Sequence, residues 1–69
     1  MTWMICTNNE GYAASLESRK LYPMIQDDKA SQHGMVRIID ESGEGYLYDA
    51  KMFSEIAVSE NLDQMLLAA

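Results

Sequence analysis

The chain has 69 residues, with 11 acidic against five basic side chains, a formal net charge of −6, and one each of Cys, His, Trp and Pro. This length holds one small domain and excludes a multi-domain enzyme, a dinucleotide-binding βαβ pair and an α/β barrel. A single cysteine, Cys6, excludes an intramolecular disulfide scaffold. At this size burial and ordering nearly cancel, so the fold must be well closed or gain stability by self-association. The apolar fraction of 48% is that of a globular domain and argues against wholesale disorder.

The charge balance speaks to partners. Nucleic-acid affinity comes mostly from Lys and Arg at phosphates. The basic residues Arg19, Lys20, Lys29, Arg37 and Lys51 are scattered apart from one adjacent pair, so no nucleic-acid partner is expected. Met1 to Cys6 is apolar but short and carries no basic flank, so it does not read as a signal peptide. No run approaches the ~18 apolar residues of a membrane span. One free cysteine without an export signal fits a reducing cytoplasm.

In chain order, Trp3 to Thr7 is apolar and β-branched enough for a strand, and Asn8 to Gly11 is a turn cluster. Tyr12 to Glu17 is irregular, with Leu16 as an inward anchor. Leu21 to Gln26 reads as a strand whose Pro23 suggests an edge or a bulge. Asp27 to Gly34 is polar and suits one helical turn, capped by Asp27 or Asp28 and stopped by Gly34. Met35 to Asp40 is the clearest strand. Glu41 to Glu44 is a tight turn in which Gly43 supplies a positive φ, and Gly45 to Tyr48 is the return strand. Asp49 to Phe53 suits a single 3₁₀ turn. Ser54 to Val58 reads as a last strand. In residues 61–67, Leu62, Met65 and Leu66 lie at helical spacing. These residues are expected to form a short helix packed on the domain or on a second copy, with a frayed tail as the alternative.

Strand, irregular loop, strand, polar loop, strand, tight hairpin, strand, 3₁₀ turn and short strand is an order that resembles the SH3-like small β-barrels. Two stretches carry the resemblance. Leu16 to Met24 resembles the diverging turn and second strand of that fold, and Gly45 to Phe53 resembles its closing segment. The chain is also similar to small bacterial proteins without an assigned function that share a Gly-Tyr-x-Ala-Ser-Leu loop, here Gly11 to Leu16. They share as well an Ile-Asp-Glu-Ser-Gly-Glu-x-Tyr-Leu-Tyr hairpin, here Ile39 to Tyr48. The resemblance implies a mostly β, five-stranded barrel over residues 1–58, with residues 59–69 as a short helix or tail. It brings no activity with it. Signalling members of the family bind proline-rich peptides on aromatic side chains. Here Met35 stands near their groove tryptophan and Met52 at the 3₁₀ tyrosine, which leaves Tyr12 in the first loop. Most of that groove is missing.

No residues assemble into a chemical motif. His33 beside Gly34 reads as a solvated loop residue, and Cys6 as a small buried side chain with no cation nearby to activate it. Asp27 and Asp28 fit a helix cap, and Asp40 and Glu41 a hairpin rim, without the pattern of a Ca²⁺ loop. The expectation is therefore no enzyme, no cofactor and no metal.

The expected core is Ile5, Leu16, Tyr22, Met24, Val36, Ile38, Leu47, Phe53 and Ile56. If Val36, Ile38 and Leu47 face inward, strand alternation sends Arg37, Ile39, Tyr46 and Tyr48 outward. With Tyr12 and Met52, these form a candidate partner-binding surface. The leading reading is a non-enzymatic protein-interaction module whose partner is a protein, with no membrane partner. A homodimer through the Tyr46/Tyr48 face is a further outcome. The alternative is an acidic inhibitor or mimic that meets a basic partner through Asp27, Asp28, Asp40, Glu41 and Glu44. Proline-rich peptide binding is the second alternative.

Overall fold

The computed structural model describes residues 1–68. The strands are β1 (Thr2–Cys6), β2 (Leu21–Ile25), β3 (Met35–Ile39), β4 (Gly45–Asp49) and β5 (Phe53–Ile56). Helix α1 (Asp28–Gln32) lies between β2 and β3, a 3₁₀ turn (Ala50–Met52) links β4 to β5, and α2 (Glu60–Ala68) follows. All pairings are antiparallel in one sheet of order β4-β3-β2-β1-β5. The five strands expected to close a barrel thus form an open sheet, with β4 and β5 as its edges.

Local chemistry accounts for the punctuation. Asp27 caps α1, its carboxylate accepting the Ala30 N–H at 3.0 Å, and Gly34 ends the turn at φ +70°. Gly43 sits at φ +82° in the hairpin turn, a backbone state that costs a side-chain-bearing residue more than glycine. Asp49 caps the 3₁₀ turn by accepting the Lys51 N–H at 2.9 Å.

Pro23 lies in the central strand and not at an edge. It is tolerated because the β2–β3 ladder is paired only from Met24 onward, at Met24↔Ile38 and Ile25↔Arg37. At Pro23 itself the strand is paired on one side, opposite Trp3. A residue that cannot donate a main-chain hydrogen bond fits such a position.

The register decides which residues face the core. Directly opposed residues share a face, so Val36 lies with Tyr48 and Ile38 with Tyr46, while Arg37 lies with Leu47 and Ile39 with Gly45. The expected alternation is thus wrong in β4 by one residue. Tyr48 is buried in the core and Leu47 is 44% exposed on the other face. The main core gathers Met4, Cys6, Leu16, Tyr22, Ile38, Tyr48 and Phe53, with Met24, Val36 and Met52 packed against it. Leu16 reaches it from the loop between β1 and β2, as its apolar side chain among polar neighbours suggested. Ile5 and Ile56 face the opposite side, half-buried and exposed respectively. On that second face Ala30 of α1 and Trp3 of β1 are buried. Trp3 donates its ring N–H to Asp63 Oδ1 at 2.6 Å and so ties α2 to the sheet.

The two faces make unequal demands. Ile38 is fully buried, and Ile38→Ala should cost about 2–5 kcal/mol through lost burial and the cavity left behind. Leu47→Ala should stay within about 1 kcal/mol. Urea titrations of both variants check this, and equal losses would contradict the register.

Candidate functional site

The loop of residues 7–20 is built to hold a tyrosine on the core. Gly11, at φ +84°, allows the chain to reverse, and the Tyr12 N–H donates to the Asn9 carbonyl at 2.8 Å. The Ser15 and Leu16 N–H groups then return to the Tyr12 carbonyl at 2.9 and 2.8 Å. The Asn9 side-chain amide donates to the Leu16 carbonyl at 2.9 Å. Arg19, with φ 70°, closes the loop as its N–H donates to the Cys6 carbonyl at 2.7 Å. Leu16 anchors inward, and Tyr12 stays 47% exposed. Its ring meets Tyr48 edge to face, with centroids 5.1 Å apart, and Tyr48 meets Phe53 at 5.9 Å. An aromatic ladder therefore runs from core to surface.

Two adjoining surface hollows share this ladder. One, of about 390 Å³, is lined by Tyr12, Ser15, Asp40, Tyr46 and Tyr48 among others. The second, of about 510 Å³, runs past Tyr12 and Tyr48 to Met35, Met52 and Lys51, with Glu10 and Asp49 at its rim. Tyr12, Tyr46, Tyr48 and Met52 of the expected surface are thereby brought together. Arg37 and Ile39 are not, because they occupy the other face of the sheet. Arg37 is bonded to Asp27 there, Nε to Oδ2 at 2.9 Å, and Ile39 lines a hollow with Trp3, Pro23 and Leu66. Sequence reasoning missed Met35 and Leu47 as lining residues. Leu47 was expected in the core, and the β3–β4 register puts it on the surface instead.

The electrostatics centre on the hairpin turn. Asp40 is buried, and it accepts hydrogen bonds from the Tyr48 hydroxyl at 2.5 Å, the Ser42 hydroxyl at 2.5 Å and the Ser42 N–H at 2.9 Å. Burial alone would raise its pKa. The donors from Ser42 and Tyr48 outweigh burial and hold the carboxyl below its ordinary range. Glu41 accepts a short hydrogen bond from the Tyr22 hydroxyl and pairs with Lys20 at 2.8 Å. Hydrogen bonds from Lys20 and then Tyr22 hold Glu41 low as well. The Tyr22 hydroxyl in turn accepts the Glu17 N–H at 2.7 Å, and the Glu41 N–H donates to the Ser15 carbonyl at 3.0 Å. The turn thus clamps the loop that carries Tyr12.

The remaining candidates are structural. Asp27 is held low by the Ala30 N–H and then by Arg37. His33 Nδ1 lies 2.8 Å from the Lys29 carbonyl on the exposed end of α1. Burial pushes the Cys6 thiol up, which suits an inert core side chain. Among the described residues, no helix is long and apolar enough to cross a membrane. Comparison with family models, curated proteins and solved structures finds no match.

These shifts set a pH dependence. Asp40 and Glu41 ionise more readily in the folded state, so their contribution is complete above the unfolded carboxyl pKa of about 4. It is lost as pH falls through their lower folded values. Tyr48 runs the other way. Burial, then the Asp40 hydrogen bond and charge, push its phenol from the ordinary 10.0 up to about 12. Its contribution is complete below pH 10 and is lost as pH rises toward 12. Urea midpoints across pH should therefore fall at both ends, and Tyr48→Phe should shrink the alkaline fall. An unchanged alkaline limb in that variant would contradict the assignment.

Proposed function

We propose that this protein is a non-enzymatic interaction module, arranged in the manner of an opened SH3-like small barrel, which holds an extended segment of a partner protein across the Tyr12–Tyr48 groove. The barrel part of this reading rests on sheet order, on the long loop between the first two strands and on the 3₁₀ turn before the last. The observation that carries the functional part is Tyr12. It is an aromatic side chain left half in water, yet fixed by loop hydrogen bonds and by the Tyr48 edge. A rigid, exposed tyrosine beside methionines offers contact area at little cost in conformational entropy. Met35 and Met52 adapt to varied side chains beside it.

The acidic-mimic alternative is weaker, because much of the acidity it needs is spent inside the molecule. Asp40 is buried, Glu41 is bonded to Lys20 and Tyr22, and Asp27 is bonded to Arg37 and to its own helix. Asp28 accepts from the Gln26 amide at 2.7 Å. On the groove side, Asp40 lines the hollow with its carboxylate already committed to Tyr48 and Ser42, and Glu44 accepts from the Tyr46 hydroxyl.

Extended peptides selected from a displayed random library on the wild-type protein test this reading. They should lose at least about tenfold in affinity toward Tyr12→Ser, a variant whose exposed position spares the fold. Their affinity should change little between about 0.1 and 0.5 M salt, where charge-carried binding is screened. Peptides that bind Tyr12→Ser equally, or that release steeply with salt, would contradict it.

A further inference from the structure

Strand β4 is an outer edge of the sheet. Hydrogen bonds at both ends of the hairpin fix which way its main chain points. The Asp40 N–H donates to the Glu44 carbonyl at 3.3 Å, and the Ala50 N–H to the Gly34 carbonyl at 2.9 Å. Alternation between these anchors turns the main-chain groups of Tyr46 and Tyr48 toward β3. It turns those of Gly45, Leu47 and Asp49 away from it. By that alternation the N–H and carbonyl of Leu47 point away from β3, and no loop, turn or side-chain hydrogen bond among the described residues uses them. Leu47 is exposed and lines the hollows on both sides of the sheet. Such an edge is a template for another strand.

We propose that β4 pairs antiparallel, edge to edge, with β4 of a second copy about a two-fold axis through Leu47. Leu47 is the midpoint of β4, so this centre alone pairs all five residues of each strand. It sets Leu47 against the partner's Leu47, Tyr46 against the partner's Tyr48, and Asp49 against the partner's Gly45. Centring on Asp49 would oppose two carboxylates, and centring on Gly45 would bring Asp49 against the partner's Glu41, both unfavourable.

Charge complementarity supports this occupant over others. Arg37 arches across Gly45, since a Cβ added there would lie 3.4 Å from Arg37 Cγ. Its Nη1 donates to the Gly45 carbonyl at 3.2 Å, on the free side of the strand. Asp49 uses Oδ1 to cap the 3₁₀ turn. Its Oδ2 therefore faces the guanidinium of the partner's Arg37, and the two-fold axis repeats the pair. The absence of a side chain at Gly45 leaves room for both groups. This dimer joins two sheets into one of ten strands and sets the two Tyr12–Tyr48 grooves side by side. It does not depend on what those grooves hold.

A contact of five residues per copy is smaller than a standard interface, so the association is weak and concentration-dependent. Sedimentation equilibrium of the full chain should give a mass near 7.8 kDa at about 10 μM, rising toward twice that near about 1 mM. Leu47→Pro removes an N–H that β3 does not use, at an edge position where proline is tolerated. It should keep the melting temperature and stay monomeric, whereas Leu47→Ala, which keeps the N–H, should still associate. Asp49→Asn, which retains an acceptor for the 3₁₀ turn, should associate roughly fivefold more weakly. Met65→Glu on the exposed side of α2 should change nothing. A wild-type chain that remains monomeric throughout would overturn the proposal. So would association that survives both Leu47→Pro and Asp49→Asn, or that Met65→Glu abolishes.

Discussion

Two adjacent carboxylates in the β3–β4 turn hold the hydroxyls of the two tyrosines in the core. Asp40 takes Tyr48 and Glu41 takes Tyr22. A buried hydroxyl without a partner costs free energy comparable to a lost hydrogen bond. A core this small therefore accommodates two tyrosines only because one turn presents both acceptors. The same turn binds the loop of residues 7–20 through the Ser15 carbonyl, and Tyr22 binds it through the Glu17 N–H. Once these bonds are made, Leu16 is seated in the core and Tyr12 rests against Tyr48. The groove is thus a consequence of how the core satisfies its polar atoms.

This arrangement explains which parts of the fold were legible in the sequence. Turn chemistry was explicit at Asp27, Gly34, Gly43 and Asp49, and the elements around them fall where they were expected. The facing of β4 was not legible, because Leu47 is more apolar than Tyr48 and so reads as the inward residue. Tyr48 turns inward because Asp40, eight residues away, meets its hydroxyl, a long-range fact that alternation of hydropathy does not carry. With Tyr48 turned inward, alternation puts Leu47 on the opposite face beside Arg37, where the edge of the sheet leaves it exposed. Trp3 escaped for a similar reason. Its burial depends on Asp63 of α2, sixty positions along the chain, and nothing near Trp3 announces that contact.

The candidate surface was legible in part. Tyr12 and Met52 are drawn to the groove by the loop and the 3₁₀ turn, features that local sequence declares. Arg37 and Ile39 were grouped with the tyrosines by an alternation that is wrong by one residue in β4. Their true place is the opposite face, where Arg37 joins α1 to β4 through Asp27 and the Gly45 carbonyl. The acidic composition carries a related lesson. Net charge suggests a surface property, yet Asp27, Asp40, Glu41 and Asp49 each accept specific hydrogen bonds that shape the fold. Acidity here is partly a set of internal acceptors for an aromatic core and for short helical turns.

The central claim is that the Asp40 carboxylate and the Tyr48 hydroxyl stabilise one another and, through the turn, the loop that bears Tyr12. A double-mutant cycle of Asp40→Asn and Tyr48→Phe isolates that coupling from the other bonds each residue makes. Measured by urea unfolding at neutral pH, the coupling should be favourable by about 1.5–3 kcal/mol, the range for a hydrogen bond to a charged group. Additive single-variant effects, with a coupling near zero, would contradict the account.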